Sequence, residues 1–442
     1  MMNISLSTLH ADIFQSLHFL HIPKTAGTSL RTWLMDLYRE EDWLPCHFLK
    51  ELEQLTPDEI NKYHFFSGHL GNTWYGCLQK SPHTFTWLRQ PIAREISQYF
   101  YLRNTKKTLL DMPLNPYEPN YLNVVSELTL TELCRSSIHL GYYDNLQVRF
   151  LTGNFPIRHE HPVYCDETML EIAKEKLLEL FFFGLCESMN ESMILFNYLL
   201  GCPPKSLGLF LNKSNHNNDF SHSELTIIEE ANFYDQQLYD YAQIIFKERF
   251  HDFLIKANLS LSPPPEKINI DNPIINDFLK NNFYEKQKFA PHLNQISFDF
   301  SESLFINNWY PRFYYEPVKK WLRWAGPNKE SFVYLPLAKN VDFEIFFKIF
   351  YVMSMDILDS LALFVNDRRV ALNRNTVLDD QEEVIYYEFN GLIDSSLIDC
   401  SSSYTELKFL TSCTISMEIQ NINNIEVRHV SFATDGLTIR KA

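Results

Sequence analysis

The sequence predicts an α/β unit, built on a P-loop-like parallel sheet flanked by helices, followed by an all-β sandwich. Three observations support this prediction. Near-continuous apolar runs at 17–22, 84–88 and 180–185 have the character of fully buried parallel strands, and helix-period segments lie between them. From about residue 301, short alternating strands follow one another without intervening helices. A proline-rich stretch at 258–273 separates the two patterns.

Two amphipathic helices are expected directly after the first two of these strands. The apolar residues of the first helix recur at i, i+3, i+4, i+7 and i+8, namely Leu30, Trp33, Leu34, Leu37 and Tyr38. The second begins at Pro91, a favourable first-turn residue, and its expected buried stripe is Ile92, Ile96, Tyr99 and Phe100. Strand followed by helix is the repeating unit of a parallel sheet.

The composition shift divides the chain into residues 1–258, a linker at 259–300 and a β-sandwich accessory domain at 301–442. The accessory domain contains Trp309, Tyr310, Trp321 and Trp324, which could stack on sugars and associate the domain with carbohydrate. Core packing is the more common use of such rings.

Charge and cysteine usage narrow the class of protein. The formal net charge of −16 argues against a nucleic-acid partner, which would require a basic surface. The eight cysteines form no Cys-x-x-Cys pair and no zinc-spaced cluster with histidine, so no metal is expected. Scattered cysteines, with no recognisable secretory signal or membrane span, predict a cytoplasmic protein.

The first strand runs into a loop with the composition of an anion site. Lys24 supplies a positive charge, and the unpaired N–H groups of the following helix attract anions. Five small or hydroxylated residues allow close approach of the backbone and add donors: Thr25, Ala26, Gly27, Thr28 and Ser29. A helix-capping turn without a ligand is the simpler alternative. The loop is not a Walker A motif, because Lys24 precedes Gly27 instead of following a glycine.

The segment HIPKTAGTSLR resembles the 5′-phosphosulfate loop of sulfotransferases that use 3′-phosphoadenosine 5′-phosphosulfate (PAPS), particularly the branch of heparan sulfate 2-O-sulfotransferase and its bacterial relatives. The resemblance covers roughly residues 15–250. It implies the sulfotransferase fold, PAPS as co-substrate, PAP as product and an acceptor hydroxyl, with a carbohydrate as the expected acceptor. Lys24 would contact the phosphosulfate bridge, and Thr25 to Ser29 would surround the 5′-phosphate.

A second phosphate motif is expected at the end of the strand at 84–88. Arg89 stands where open α/β sheets bind ligands, and its planar guanidinium suits phosphate. In the same family a strand arginine, Asp-Pro, a second arginine and a helix serine hold the 3′-phosphate. The match here is to Arg89 and Ser97, with Gln90 in place of the usual aspartate. A strand-end ion pair is the alternative role for Arg89.

His69 is the candidate general base, because histidine titrates near neutrality and the 2-O group carries its catalytic histidine in a similar Gly-His context. That group often shows His-Gly-His, whereas this chain has Ser67-Gly68-His69, so a second histidine is absent or comes from elsewhere. His64 and His47 are too loosely placed to assign. Lys24 would stabilise the departing phosphate.

Lys213 is expected to close over the nucleotide, with a solvated loop as the alternative. The leading hypothesis is therefore a PAPS-dependent sulfotransferase. A P-loop kinase or nucleotide-binding protein, and a non-catalytic glycan-binding protein, are the competing classes.

Overall fold

A computed structural model describes residues 16–111, 119–154, 161–207, 220–259, 269–270, 272–300, 303–380, 383–421 and 424–442. Its first part contains a four-stranded parallel sheet in the order β2-β1-β3-β4. The strands are β1 (Leu17–Leu20), β2 (Phe65–Gly68), β3 (His83–Leu88) and β4 (Phe182–Leu185). Nearly every residue of these strands is buried, which explains why they read as continuous apolar runs.

Helices surround this sheet. Before β4 they are α1 (Gly27–Leu34), α2 (Leu49–Leu52), α3 (Pro57–Ile60), α4 (Pro91–Leu110), α5 (Pro119–Glu127), α6 (Leu130–Cys134), α7 (Leu146–Thr152) and α8 (Glu167–Glu179). After β4 they are α9 (Met189–Leu200), α10 (His222–Ala231), α11 (Phe233–Lys256) and α12 (Pro273–Lys286). The parallel sheet flanked by helices is confirmed.

The buried face of α4 differs from the expected apolar stripe. Tyr99 is buried, but Ile92 and Ile96 are only half-buried. The polar residues of the helix are more deeply enclosed, since Arg94 and Glu95 are 0% and 1% exposed and form an ion pair with each other. The periodicity did not reveal this polar core, because a buried charge pair has the same sequence pattern as a solvated one.

The second part is antiparallel. One sheet has seven strands, and its members are β5 (Gln295–Asp299), β7 (Phe313–Tyr315), β8 (Lys320–Trp324), β10 (Phe343–Val352), β13 (Leu372–Leu378), β14 (Val384–Ile393) and β18 (Phe432–Lys441). A five-stranded sheet contains β6 (Phe305–Asn307), β9 (Glu330–Leu335), β11 (Ala362–Val365), β12 (Arg368–Val370) and β15 (Thr405–Leu410). A short helix, α13 (Met355–Ser360), and the hairpin β16 (Ile415–Asn421) and β17 (Asn424–Val430) complete it. The predicted antiparallel β region is confirmed.

One hydrophobic core lies between the two antiparallel sheets, with residues such as Ile345 and Phe347 from one and Leu363 and Leu407 from the other. Trp309, Tyr310 and Trp324 are buried, and Trp321 is half-buried. Most of the aromatic residues that could have stacked on sugars therefore pack inside the protein instead.

The segment expected as a linker, 259–300, differs from that expectation. It contains α12, whose Ile275, Leu279 and Phe283 join the core of the α/β part, and β5, which pairs with β18. Helix and strand here follow ordinary local signals, because Asn272 caps α12 through its side-chain oxygen and Pro273 occupies its first turn. The domain boundaries stay a prediction.

No helix within the described ranges combines the length and apolar character needed to cross a membrane.

Candidate active site at the carboxyl edge of the parallel sheet

The loop after β1 has an unusual backbone. Lys24 and Ala26 adopt left-handed conformations, with φ angles of 70° and 64°. Thr25 between them is completely buried, and its Oγ1 donates a hydrogen bond to the carbonyl oxygen of Ile22 at 2.9 Å. The chain therefore turns sharply into α1, whose first residues are small, and the unpaired N–H groups at a helix start are suited to an anion.

Lys24 and Arg89 come together, although 65 positions separate them in the chain. The Nη1 group of Arg89 donates a hydrogen bond to the carbonyl oxygen of Lys24 at 3.1 Å. Burial, and then the charge of Arg89, lower the pKa of Lys24 to about 8. The Lys24 Nζ also lies 4.1 Å from the centre of the Tyr101 ring. Among the residues that the structure describes, neither cation forms an ion pair with a carboxylate. Two adjacent cations without an acidic partner fit a doubly charged anion.

Ser97 and Gln90 both belong to the start of α4. Ser97 is buried and lies one turn before Tyr101, so the two residues share a face of the helix, the face toward Lys24. Gln90 caps α4, because its Oε1 accepts a hydrogen bond from the Ala93 backbone N–H at 2.7 Å. The glutamine therefore performs the helix-capping task for which aspartate is the better known residue. Arg94 points into the polar core instead, paired with Glu95.

Gln147 holds the backbone of Arg89. Its Oε1 accepts from the Arg89 N–H and its Nε2 donates to the Arg89 carbonyl, both at 2.9 Å. Asp235 in turn accepts hydrogen bonds from the backbone N–H groups of Gln147 and Val148, at 3.0 and 2.8 Å. Gln147 is completely buried. It therefore acts on the site through the position of Arg89, and not as a contact to a ligand.

Replacing Gln147 with alanine should weaken PAP binding about tenfold, because Arg89 loses both backbone partners and its guanidinium loses its fixed position. The free energy of unfolding should fall by about 1–3 kcal/mol, since buried polar groups are left unpaired. PAP titration by calorimetry and urea unfolding measure the two effects, with exposed Gln79→Ala as the control. A destabilised variant that binds PAP as the wild type does would show that Gln147 only supports packing.

His69 follows β2 at the same edge of the sheet. Its Nδ1 lies 2.9 Å from the carbonyl oxygen of His21, which can only accept, so the proton sits on Nδ1 and Nε2 carries the free lone pair. Burial lowers the pKa of His69 to about 4, and the charge of Lys24 contributes in the same direction. A neutral ring with a free Nε2 is the form that a general base requires.

Three side chains around His69 received no role from the sequence. The His21 ring stacks on the His69 ring with centroids 4.4 Å apart. It also occupies the space above Gly27, where an added Cβ would lie 1.7 Å from the His21 Nε2. Arg31 Nη1 lies 3.0 Å from the His47 Nδ1, and the His47 carbonyl accepts from the His69 backbone N–H at 2.7 Å. The second histidine sought beside Gly68 is thus matched in space by two histidines from other segments. Of these three side chains, His21 could have been recognised in the sequence, because it lies directly before the predicted phosphate loop.

Ser29 borders a different space. A small cleft lies between α1 and the β region, lined by residues that include Ser29, Thr32, Trp33, Lys205 and Tyr310. Lys24, Arg89 and His69 do not line it. Ser29 is therefore the member of the predicted loop that faces the β region, and the cationic site lies apart from this cleft.

Lys213 lies outside the described residues. Within those residues, no group of three or more histidine, cysteine, aspartate or glutamate side chains is arranged to hold a metal ion.

A parallel α/β sheet with a lysine-containing loop after its first strand, an arginine after one neighbouring strand and a histidine after the other is the arrangement expected of a sulfotransferase. Comparison with known proteins agrees. The chain is 28% identical over 276 residues to mouse heparan-sulfate 6-O-sulfotransferase 3, covering 53% of this chain and 58% of that protein. It is 30% identical over 275 residues to heparan-sulfate 6-O-sulfotransferase 1 of Cricetulus griseus, covering 52% of this chain and 67% of that protein.

The chain therefore belongs to the PAPS-dependent sulfotransferase family that includes the heparan-sulfate 6-O-sulfotransferases. It spans 58% of the length of the mouse relative and 67% of the length of the hamster relative. These relatives are 6-O enzymes, so they do not support the particular likeness to the 2-O branch. No protein-family model matches the chain.

The predicted cytoplasmic location is wrong, because the heparan-sulfate 6-O-sulfotransferases that the chain matches are enzymes of the Golgi lumen. The inference relied on scattered cysteines and on an N-terminal sequence without a recognisable signal. All eight cysteines are indeed free, but free cysteines do not define a compartment.

Proposed function

We propose that this protein transfers the sulfuryl group of PAPS to a hydroxyl group of a glycan. The observation that supports the proposal best is the contact between Arg89 and the backbone of Lys24, which joins the two predicted phosphate motifs in one cationic site. The similarity to heparan-sulfate 6-O-sulfotransferases supports a glycan as the acceptor.

On the donor side, Lys24 and the backbone N–H groups of residues Thr25 to Ser29 would hold the 5′-phosphosulfate, while Arg89 and Ser97 would hold the 3′-phosphate. The residues fit such a ligand. The loop itself consists of small and hydroxylated residues after Lys24, and the two cations are held close together without carboxylate partners among the described residues. Without a counter-charge their mutual repulsion is unfavourable, and an incoming phosphate relieves it. Lys213 would add a contact from the late part of the domain.

On the acceptor side, His69 would act as the general base. The acceptor oxygen attacks sulfur in line, the bond between sulfur and the bridging oxygen breaks, the hydroxyl proton moves to His69 Nε2 and PAP departs. Negative charge grows on the bridging oxygen during this step, and Lys24 would stabilise it. The Nδ1 hydrogen bond to the His21 carbonyl favours the ring that gains the proton, because that bond strengthens when the ring is positive.

The β region would be an accessory sandwich that helps to shape or hold the glycan. Ser303 Oγ donates to the Leu37 carbonyl at 2.7 Å, so this region packs directly behind the phosphate-loop helix. The position that is sulfated is a separate question, since His69 has the Gly-His context of the 2-O branch whereas the curated relatives are 6-O enzymes.

Incubation with ³⁵S-labelled PAPS and a panel of glycans tests the proposal. N-sulfated heparosan should take up label, and disaccharide analysis would then give the sulfated position. PAP should also raise the melting temperature, because a ligand that binds the native state stabilises it. Absence of both label transfer and a thermal shift would remove the proposal. A thermal shift without transfer to any acceptor would favour a nucleotide-binding protein that lacks catalysis.

A further inference from the structure

The pair Arg31–His47 lies beside the candidate base and on the side away from Arg89. β1 has β2 as one neighbour and β3 as the other. Arg89 follows β3, whereas His69 follows β2 and is bridged to Phe48, the neighbour of His47. The Phe48 ring stacks on the His69 ring at 5.8 Å between centroids. The segment that carries His47 therefore forms the far wall of the site.

Arg31 projects toward this wall from α1. It is four residues after Gly27, so it lies on the helix face that His21 covers. Its Nη1 is 3.0 Å from His47 Nδ1, and the charges of Arg31 and His47 both lower the pKa of His21, after burial and the nearer His69 and Lys24. Arg31 is half-buried and His47 is exposed, so both can be reached from solvent.

The Arg31 guanidinium has no carboxylate in ion-pair contact within the described ranges. The charge of Glu51 acts on His47, but its Oε2 already accepts hydrogen bonds from the backbone N–H groups of His47 and Phe48, the latter at 2.9 Å. A protein with a net charge of −16 has an excess of carboxylates to place, so an arginine left without one next to a base points to an anionic ligand.

We infer that Arg31, supported by His47, binds an anionic group of the acceptor and thereby directs the acceptor hydroxyl to His69. The ligand chemistry is a carboxylate or sulfate on a sugar adjoining the hydroxyl, which a guanidinium binds through two parallel hydrogen bonds. This inference rests on the proposed function and adds a specificity-determining residue to it. His47 is a positioning residue here, because it would act through the guanidinium.

The experiment compares wild type, Arg31→Met, Arg31→Lys and exposed Arg135→Met as the control, each loaded with PAP. The probes are N-sulfated heparosan oligosaccharide, its carboxyl-reduced form and its N-acetylated form, so that carboxylate and sulfate are removed separately. Arg31→Met should weaken binding of the fully charged oligosaccharide by about 10- to 100-fold, with partial recovery in Arg31→Lys. The loss should vanish with whichever probe lacks the recognised anion, and PAP binding should not change.

Two results would overturn the inference: equal binding of the charged oligosaccharide by Arg31→Met and wild type, or a loss of PAP binding in Arg31→Met, which would assign the residue to the donor site. Because the readout is binding, it is independent of turnover. If the wild type binds acidic oligosaccharides through Arg31 yet transfers no label, the proposed function fails and only the anion-binding role of Arg31 stands. If label is transferred but Arg31→Met binds the charged oligosaccharide as the wild type does, the proposed function stands and the inference about Arg31 fails.

Discussion

Replacing His69 with alanine should lower turnover by about 10²–10⁴-fold while PAP binding is kept. The acceptor hydroxyl must lose its proton as the new bond to sulfur forms, and the His69 ring presents a free Nε2 because its Nδ1 donates to the His21 carbonyl at 2.9 Å. His69→Asn is the sharper variant, since its side-chain amide can still donate to that carbonyl but cannot accept a proton at neutral pH. Both variants should show the same loss of ³⁵S transfer.

His64→Ala is the matched control, because His64 precedes β2 and no described side-chain contact links it to the site. It should retain wild-type turnover. Full activity in His69→Asn would assign the base to another residue, with His21 the next candidate by its position against the His69 ring.

The pH dependence gives an independent check on the same residue. Because burial lowers the pKa of His69 to about 4, the free protein should hold this ring neutral at and above about pH 5. As a base it is active when unprotonated, so kcat/KM should be flat from about pH 5 to 7 and fall as the pH drops through about 4. Loss of the Lys24 proton, with a pKa of about 8, should lower kcat/KM again on the alkaline side. If kcat/KM already declines as the pH falls through the ordinary histidine pKa of about 6.5, His69 is not the base.

Replacing Asp36 with alanine should lower the free energy of unfolding by about 3–5 kcal/mol. Asp36 lies just after α1 and forms ion pairs with Lys205 of the α/β part and Arg323 of the β region. All three side chains are buried, at 5%, 8% and 2% exposure. Removing the carboxylate would leave two buried cations without a counter-charge. Burial alone would raise the pKa of Asp36, but Arg323 and Lys205 hold it below its ordinary value, so the group is charged at neutral pH.

Urea unfolding measures this change. Asp359→Ala is the control, because its pair with Arg374 is exposed and should contribute less than about 1 kcal/mol. Asp36→Asn separates charge from volume, since it fills the same space without the charge. If Asp36→Asn is nearly as stable as wild type, the ion pairs contribute little and the connection between the two parts of the chain rests on packing.

Much of the architecture could be predicted because each strand and helix follows from the pattern of apolar residues in a short stretch of sequence. The runs at 17–22, 84–88 and 180–185 do become β1, β3 and β4, since a strand buried on both faces must be apolar at every position. The alternating β region follows from the same logic with one face buried. Predictions were weaker where polar residues are buried, as in α4, because periodicity cannot distinguish an enclosed ion pair from a solvated one.

Local patterns in the sequence predicted the class of sheet and pointed to the loop around Lys24, Arg89 and His69 as candidate site residues, because each of these predictions depends on neighbours within about one turn or strand. Which distant side chains meet is visible in the folded chain alone. Parallel pairing of β1 with β2 and β3 brings Lys24, Arg89 and His69 to one edge, and the paths of the connecting loops add His21, His47 and Arg31. These contacts depend on strand order and register. Both arise from packing of the whole chain, so no local sequence pattern predicts them.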